Sequence, residues 1–313
     1  FGNPERGAPV VSPDGKRLAF TAPVDGVMNV FVAPIDDPGR AVQVTFDPVR
    51  PIRSYSWSND GRWVLYQQDV GGDENYHLFR VGPDGKDPVD LTPTPGVLAL
   101  TVATSLKKPG HILIGLNDRD PRVHDVHELE LATGKTRLVL ENPGYVNPVA
   151  DEDLRLRLAA PPQPDGTTRR MAPPARGGGP WVQIDTAPAD DQLTTAVLGY
   201  ESSGKRYYLL DGRGRDTAAI YVVDAATHKK TLVAAHDRAD VGGGAIFHPR
   251  TGVLRAIAFN RARPEWKVLD KGIAGDLDAL RKLDEGDLAV LSMSHDDRTW
   301  IVAYNGDRQP TRY

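Results

Sequence analysis

Short runs in which apolar and polar residues alternate recur along the chain, separated by breaks rich in Gly, Pro, Asp and Asn. A two-residue period places alternate side chains on opposite faces of an extended strand, and β-branched and aromatic residues fit that surface. "SPDGKRLAF" at 12–20 is such a unit: a turn built on Asp14 and Gly15, then a strand. Glycine tolerates the positive φ that the turn requires. The same phrase returns as "SNDGRWVLY" at 58, and more loosely as "SLKKPGHILIG" at 105 and "ADEDLRLRLAA" at 150. Three further copies follow: "ESSGKRYYLL" at 201, "HPRTGVLRAIAF" at 248 and "SHDDRTWIVAY" at 294.

Measured at the turn residue (15, 61, 110, 153, 204, 252, 297), the intervals are 46, 49, 43, 51, 48 and 45. Their mean of 47 is the length of a four-stranded propeller blade. Second and third strands recur in phase, as in "MNVFVAPID" at 28 followed by "AVQVTFD" at 41. The pattern predicts an all-β fold, a seven-bladed β-propeller of four-stranded blades. The expected blades are roughly 1–40, 41–86, 87–134, 135–180, 181–228, 229–286 and 287–313, making one propeller domain. Blade four is the least regular, because 161–180 is a Pro- and Gly-rich loop around a short strand. The last blade is expected to be incomplete, with further sequence following Tyr313. One short helix is predicted over 270–287, inserted between blades six and seven, with Ile273, Leu277, Leu280 and Leu283 on one face.

Composition narrows the function. The chain has 313 residues, 40% hydrophobic and 26% charged, with a net charge of −4. No basic footprint for nucleic acid is present, and no apolar stretch is long enough to span a membrane. The absence of Cys excludes disulfides, thiolate metal sites and a Cys nucleophile, and leaves the compartment open between cytoplasm and periplasm.

Most chemical motifs fail on their context. "LATGKT" at 131 has Leu129 where a phosphate-binding loop needs its first Gly, and it joins two strands. His124 and His127 are spaced to point to opposite faces of a strand, so no metal site is expected, nor any cofactor. A Gly-x-Ser-x-Gly elbow is missing, so the chain is expected to hold no catalytic residue and to be inactive alone. What remains is a set of polar loops. Asp73, Glu74 and Asn75 stand in "QDVGGDENYHLF", and Arg119, Asp120 and Arg122 in "GLNDRDPRVHDVHEL". Arg213, Arg215 and Asp216 stand in "LLDGRGRDTAAIYVVD", and Arg238 in "HDRADVGGG". Two readings are open: acid–base pairs that tie neighbouring blades together, or groups that face a substrate or a neighbouring domain.

Taken in order, "FGNPER", "SPDGKRLAF", "GGDENYHLF", "GLNDRDPRVHDV", "LLDGRGRDTAAI", "FNRARPEWKVLD" and "DDRTWIVAY" resemble the N-terminal propeller of bacterial prolyl oligopeptidase-family serine peptidases. The resemblance runs the length of the chain. It implies a C-terminal α/β-hydrolase domain of the same protein that carries the Ser, Asp and His triad, with this propeller gating and orienting short peptide substrates. None of the triad maps onto this sequence, and the helical extension usual before the propeller is missing from it. The Glu pair with which the dipeptidyl-peptidase branch binds a substrate amine has no clear counterpart, Asp73 and Glu74 being the candidates. The alternative is a stand-alone protein-interaction propeller resembling that of the periplasmic Tol–Pal system.

Overall fold

The computed structural model describes residues 5–174 and 179–313. The first residues of "FGNPER" and residues 175–178 of the Pro/Gly-rich stretch lie outside the described residues. The chain divides into two compact units, one comprising the residues up to Pro143 with Leu291–Val302 and Tyr313, the other Gly144–Val290 with Ala303–Arg312.

The first unit holds three antiparallel sheets, each of four strands in sequence order. Sheet one is Gly7–Val11, Arg17–Val24, Val27–Pro34 and Val42–Gln43; sheet two is Ser54–Trp57, Val64–Gln68, His77–Val81 and Val89–Asp90. Sheet three is Ala99–Thr104, His111–Leu116, Asp125–Glu130 and Thr136–Leu140. In the second unit, sheet four is Val146–Ala150, Leu156–Ala160, Thr168–Ala172 and Val182–Ala187, and sheet five is Ala196–Tyr200, Arg206–Asp211, Ala219–Asp224 and Lys230–Ala234. Sheet six has only Val241–Phe247, Leu254–Asn260 and Pro264–Val268. A two-stranded hairpin, Asp287–Met293 and Trp300–Asn305, follows.

This corrects the expected seven four-stranded blades. The all-β propeller has six blade sheets, one of them three-stranded, and a small two-stranded seventh sheet. Where sheet six would continue into a fourth strand, Asp270 accepts the Gly272 N–H (2.8 Å) and starts a 3-10 turn, Lys271–Ile273. That turn runs into the helix Ala274–Leu280, far shorter than 270–287. Ile273 and Leu277 are buried, but Leu283 lies beyond the helix and is 73% exposed. Blade four, expected to be the least regular, has all four strands, with Thr168–Ala172 inside the Pro/Gly-rich stretch.

Second strands such as His111–Leu116 and Leu254–Asn260 are nearly continuously buried because both faces are covered, while outer strands such as Thr136–Leu140 keep exposed positions. In sheet two, Val64 and Val81 pack with Ala19, Val30, Val32 and Val44 of the sheet-one segment, whereas Leu65 and Leu78 pack with Ile112, Ile114 and Leu129 of sheet three. In sheet five, Tyr207 and Leu209 meet Leu158 and Ala172 of sheet four, while Tyr208 meets Leu254 and Ile257 of sheet six. Burying each of these Val, Leu and Ile side chains contributes roughly 1.5–3 kcal/mol.

The repeated turn is a defined structure. The Ser12 N–H donates to Arg17 O (2.9 Å), and Ser12 Oγ donates to Asp14 Oδ1 (2.6 Å) while accepting from the Arg17 N–H (2.9 Å). Ser58 with Asp60 and Ser294 with Asp296 repeat the side-chain bond at 2.6 Å. Glu201 and His248 keep the backbone bond, to Arg206 O (2.9 Å) and Val253 O (2.8 Å), with a different side chain in the leading place.

Candidate functional site

In each sheet the strands alternate in direction, so the loop joining the second strand to the third leaves the end opposite the repeated turn. The polar loops 69–76, 117–124 and 212–218 occupy that position in sheets two, three and five. Residues 235–240, which lead from sheet five into sheet six, leave from the corresponding end.

The first loop is fastened by two residues that the sequence did not single out. Asp69, its side chain fully buried, receives a two-pronged Arg50 guanidinium (Nε–Oδ1 2.9 Å, Nη2–Oδ2 3.0 Å) and also accepts the Glu74 N–H (3.2 Å). Burial opposes ionisation there, but these donors prevail and hold the carboxyl below its ordinary range. Asp73 accepts the N–H of Val70 (3.3 Å) and of Asn75 (3.1 Å) and binds the Asn75 amide (3.2 Å), so both side chains shape the loop. Glu74 adopts φ +60°, and its carboxylate is exposed.

In the second loop Arg119 forks onto buried Asp125 (Nε–Oδ2 2.6 Å, Nη2–Oδ1 2.8 Å) and reaches Asn142 O (3.0 Å). Arg119 is the main reason that the Asp125 carboxyl lies below the usual range. Asp120 and Arg122 pair with each other at 2.7 Å.

Arg213 is the hub of a larger network. It forks onto Asp211 (2.7 and 2.8 Å), reaches Thr186 O (2.6 Å) and contacts Asp185, which also receives Arg170. Lys230 Nζ completes the set at 2.7 Å from Asp211. Burial works against both carboxylates, yet the surrounding cations lower the pKa of each. Arg213 thereby ties sheet five to the outer strand of sheet four. Arg215 donates to Thr217 O (3.1 Å), and Arg238 has its backbone N–H on His236 Nδ1 (3.0 Å).

The candidates therefore divide. Arg119 and Arg213 are braces, Asp120 and Arg122 satisfy each other, and Asp73 and Asn75 are internal to their loop. Glu74, Arg215, Asp216 and Arg238 are exposed and have no ion-pair partner among the described residues. Arg50, Asp69 and Asp185 escaped the sequence reading because their partners lie 15 to 28 residues away, with only their residue type as a signal. Among the described residues no three potential metal ligands come together, and no helix is long and apolar enough to cross a membrane.

No family model matches the chain. It is 43% identical over 314 residues to dipeptidyl aminopeptidase BIII of Pseudoxanthomonas mexicana, covering all of this chain and 45% of that protein. The chain thus spans less than half the length of this curated relative. A solved structure from work on two prolyl endopeptidases matches with a TM-score of 0.53 at 15% identity, over 88% of this chain and 45% of that one. The β-propeller domain of the Trilobed protease from Pyrococcus furiosus matches with a TM-score of 0.50 at 14% identity, over 85% of this chain and 82% of that one. These structures share the fold, and the whole-chain sequence likeness gives the kinship: the chain belongs with the β-propeller domains of the prolyl oligopeptidase family of peptidases.

Proposed function

We propose that this chain is the substrate-gating and substrate-orienting propeller of a serine peptidase acting on short peptides, and that it is not catalytic by itself. The observation that carries this reading is the 43% identity to a dipeptidyl aminopeptidase, which runs from end to end of the chain. The catalytic partner is an α/β-hydrolase domain of the same polypeptide. Gating by size needs stiff sheets and firmly held loops rather than a reactive group. The forks Arg50–Asp69, Arg119–Asp125 and Arg213–Asp211 support that requirement.

Within this reading the four exposed charges meet the peptide or the hydrolase domain. The Glu74 carboxylate suits a peptide's terminal ammonium, and Arg215 and Arg238 suit its carbonyls or carboxylate. Arg119, Arg213, Asp73, Asn75, Asp120 and Arg122 act indirectly, by holding loop shape.

Fluorophosphonate labelling of the natural gene product, with the mass of each labelled chain, tests the assignment. Label on a polypeptide about twice this length is expected, with the 313-residue piece unlabelled. A natural product that ends near residue 313 and travels with no labelled hydrolase would overturn it in favour of an interaction propeller. In the full-length protein, Glu74→Gln and Arg215→Ala should lower kcat/KM for short peptides by about tenfold while leaving stability within about 0.5 kcal/mol. Unchanged kcat/KM for every peptide would remove these residues from the substrate path.

A further inference from the structure

A cavity of about 370 Å³ lies in the first unit, between residues 44–52, which leave sheet one, and the second and third strands of sheet two. Its walls are mainly apolar, and three of the lining residues are aromatic: Phe46, Tyr66 and Phe79. Tyr66 and Phe79 are cross-strand partners whose rings stack at 5.1 Å and 13°, and Phe46 lines the cavity although the residue is 68% exposed.

The polar groups of the cavity carry one sign of charge. Asp47 accepts the N–H of Val49 (2.8 Å) and of Arg50 (2.6 Å) and the Gln68 amide (2.7 Å), but pairs with no Lys or Arg among the described residues. The Arg50 guanidinium is committed to Asp69. Nearby Asp90 accepts the Thr92 N–H (2.9 Å) and contacts the His77 ring (2.7 Å), and it too pairs with no Lys or Arg among the described residues. The Tyr66 hydroxyl makes no hydrogen bond among the described residues. Burial first, and then the Asp90 and Asp47 carboxylates, push its pKa up to about 12.

An anion would be repelled here, and a neutral apolar ligand would gain nothing from the carboxylates. A cation on an aliphatic stem gains from the ring faces, from Asp47 and from the apolar walls together. We propose that this cavity binds an organic cation, an alkylammonium or guanidinium group of the size of a lysine or arginine side chain, between the faces of Phe46, Tyr66 and Phe79 and the Asp47 carboxylate. None of the exposed charges of the proposed peptide path lines this cavity, and the proposal does not depend on that path.

The test is calorimetric titration and saturation-transfer NMR of the full-length protein with three probes: N-acetyl-lysine methylamide, its neutral isostere N-acetyl-norleucine methylamide, and tetramethylammonium. Saturable binding of a cationic probe is expected, with none by norleucine. Affinity should fall about tenfold in Phe46→Ala and in Asp47→Asn. Phe46 is exposed, so its variant reports on binding even if Asp47→Asn fails to fold. Binding of the lysine probe alone assigns the cavity to a basic side chain of a polypeptide; equal binding of tetramethylammonium assigns it to free small cations. Equal binding by norleucine, unaltered affinity in Phe46→Ala, or no saturable binding overturns the proposal.

Discussion

Gly61 turns with φ +67°, and a Cβ placed there would first meet Pro13 Cδ at an ordinary 3.6 Å. Gly61→Ala should therefore cost only the left-handed conformation, about 1 kcal/mol by urea unfolding. At Gly252, φ is +64° and the added Cβ would come within 3.0 Å of Tyr200 O and 3.2 Å of Glu201 Cα, so Gly252→Ala should cost clearly more. Equal losses would mean that backbone conformation alone sets the price. The Asp–Gly turns were legible because this conformation leaves its mark in residue type. In "SHDDRTW" the mark is hidden, since Asp297 itself takes φ +62° and accepts the Trp300 indole N–H (3.0 Å). The forks were illegible for a different reason: Arg50 finds Asp69 nineteen residues on, and nothing local selects that carboxylate over Asp73.

Among elements, strands declared themselves and their number per sheet did not. Alternation and β-branched residues suffice for an extended segment, whereas membership in a sheet depends on what the neighbouring segment does. After Val268 the capping Asp270 and the Ala- and Leu-containing stretch favour a helical turn over a fourth strand, and sheet six stops at three. The helix was overextended because Leu283 continues the apolar spacing after the chain has left the helix. Leu277→Ala, at 1% exposure, should cost about 2–4 kcal/mol, and Leu283→Ala less than about 0.5, both read from thermal or urea unfolding. A large loss at Leu283 would restore the longer helix.

For the molecule as a whole, acid is the condition that reaches every sheet brace at once. Asp69, Asp125, Asp185 and Asp211 all have pKa values below the ordinary 3.8 in the folded chain. A carboxyl depressed by folding stabilises fully above its unfolded pKa, and that contribution is lost as pH falls through the folded one. The urea midpoint should stay level from pH 7 to about 5 and drop below about pH 4. Asp185→Asn should cost about 2 kcal/mol at neutral pH, less than a fully buried pair because the Asp185 side chain is 25% exposed, and should flatten the acid limb. A midpoint unmoved down to pH 3 would show that the braces do not matter to stability. Two-sided strands carry another consequence. Val64 and Leu65 are chain neighbours, yet they serve different cores, so Val64→Ala and Leu65→Ala should add to within about 0.5 kcal/mol. Val64 and Val81, cross-strand partners in one core, should not be additive. In a double-mutant cycle, residues bonded to each other would behave as strangers, and residues seventeen apart as a couple.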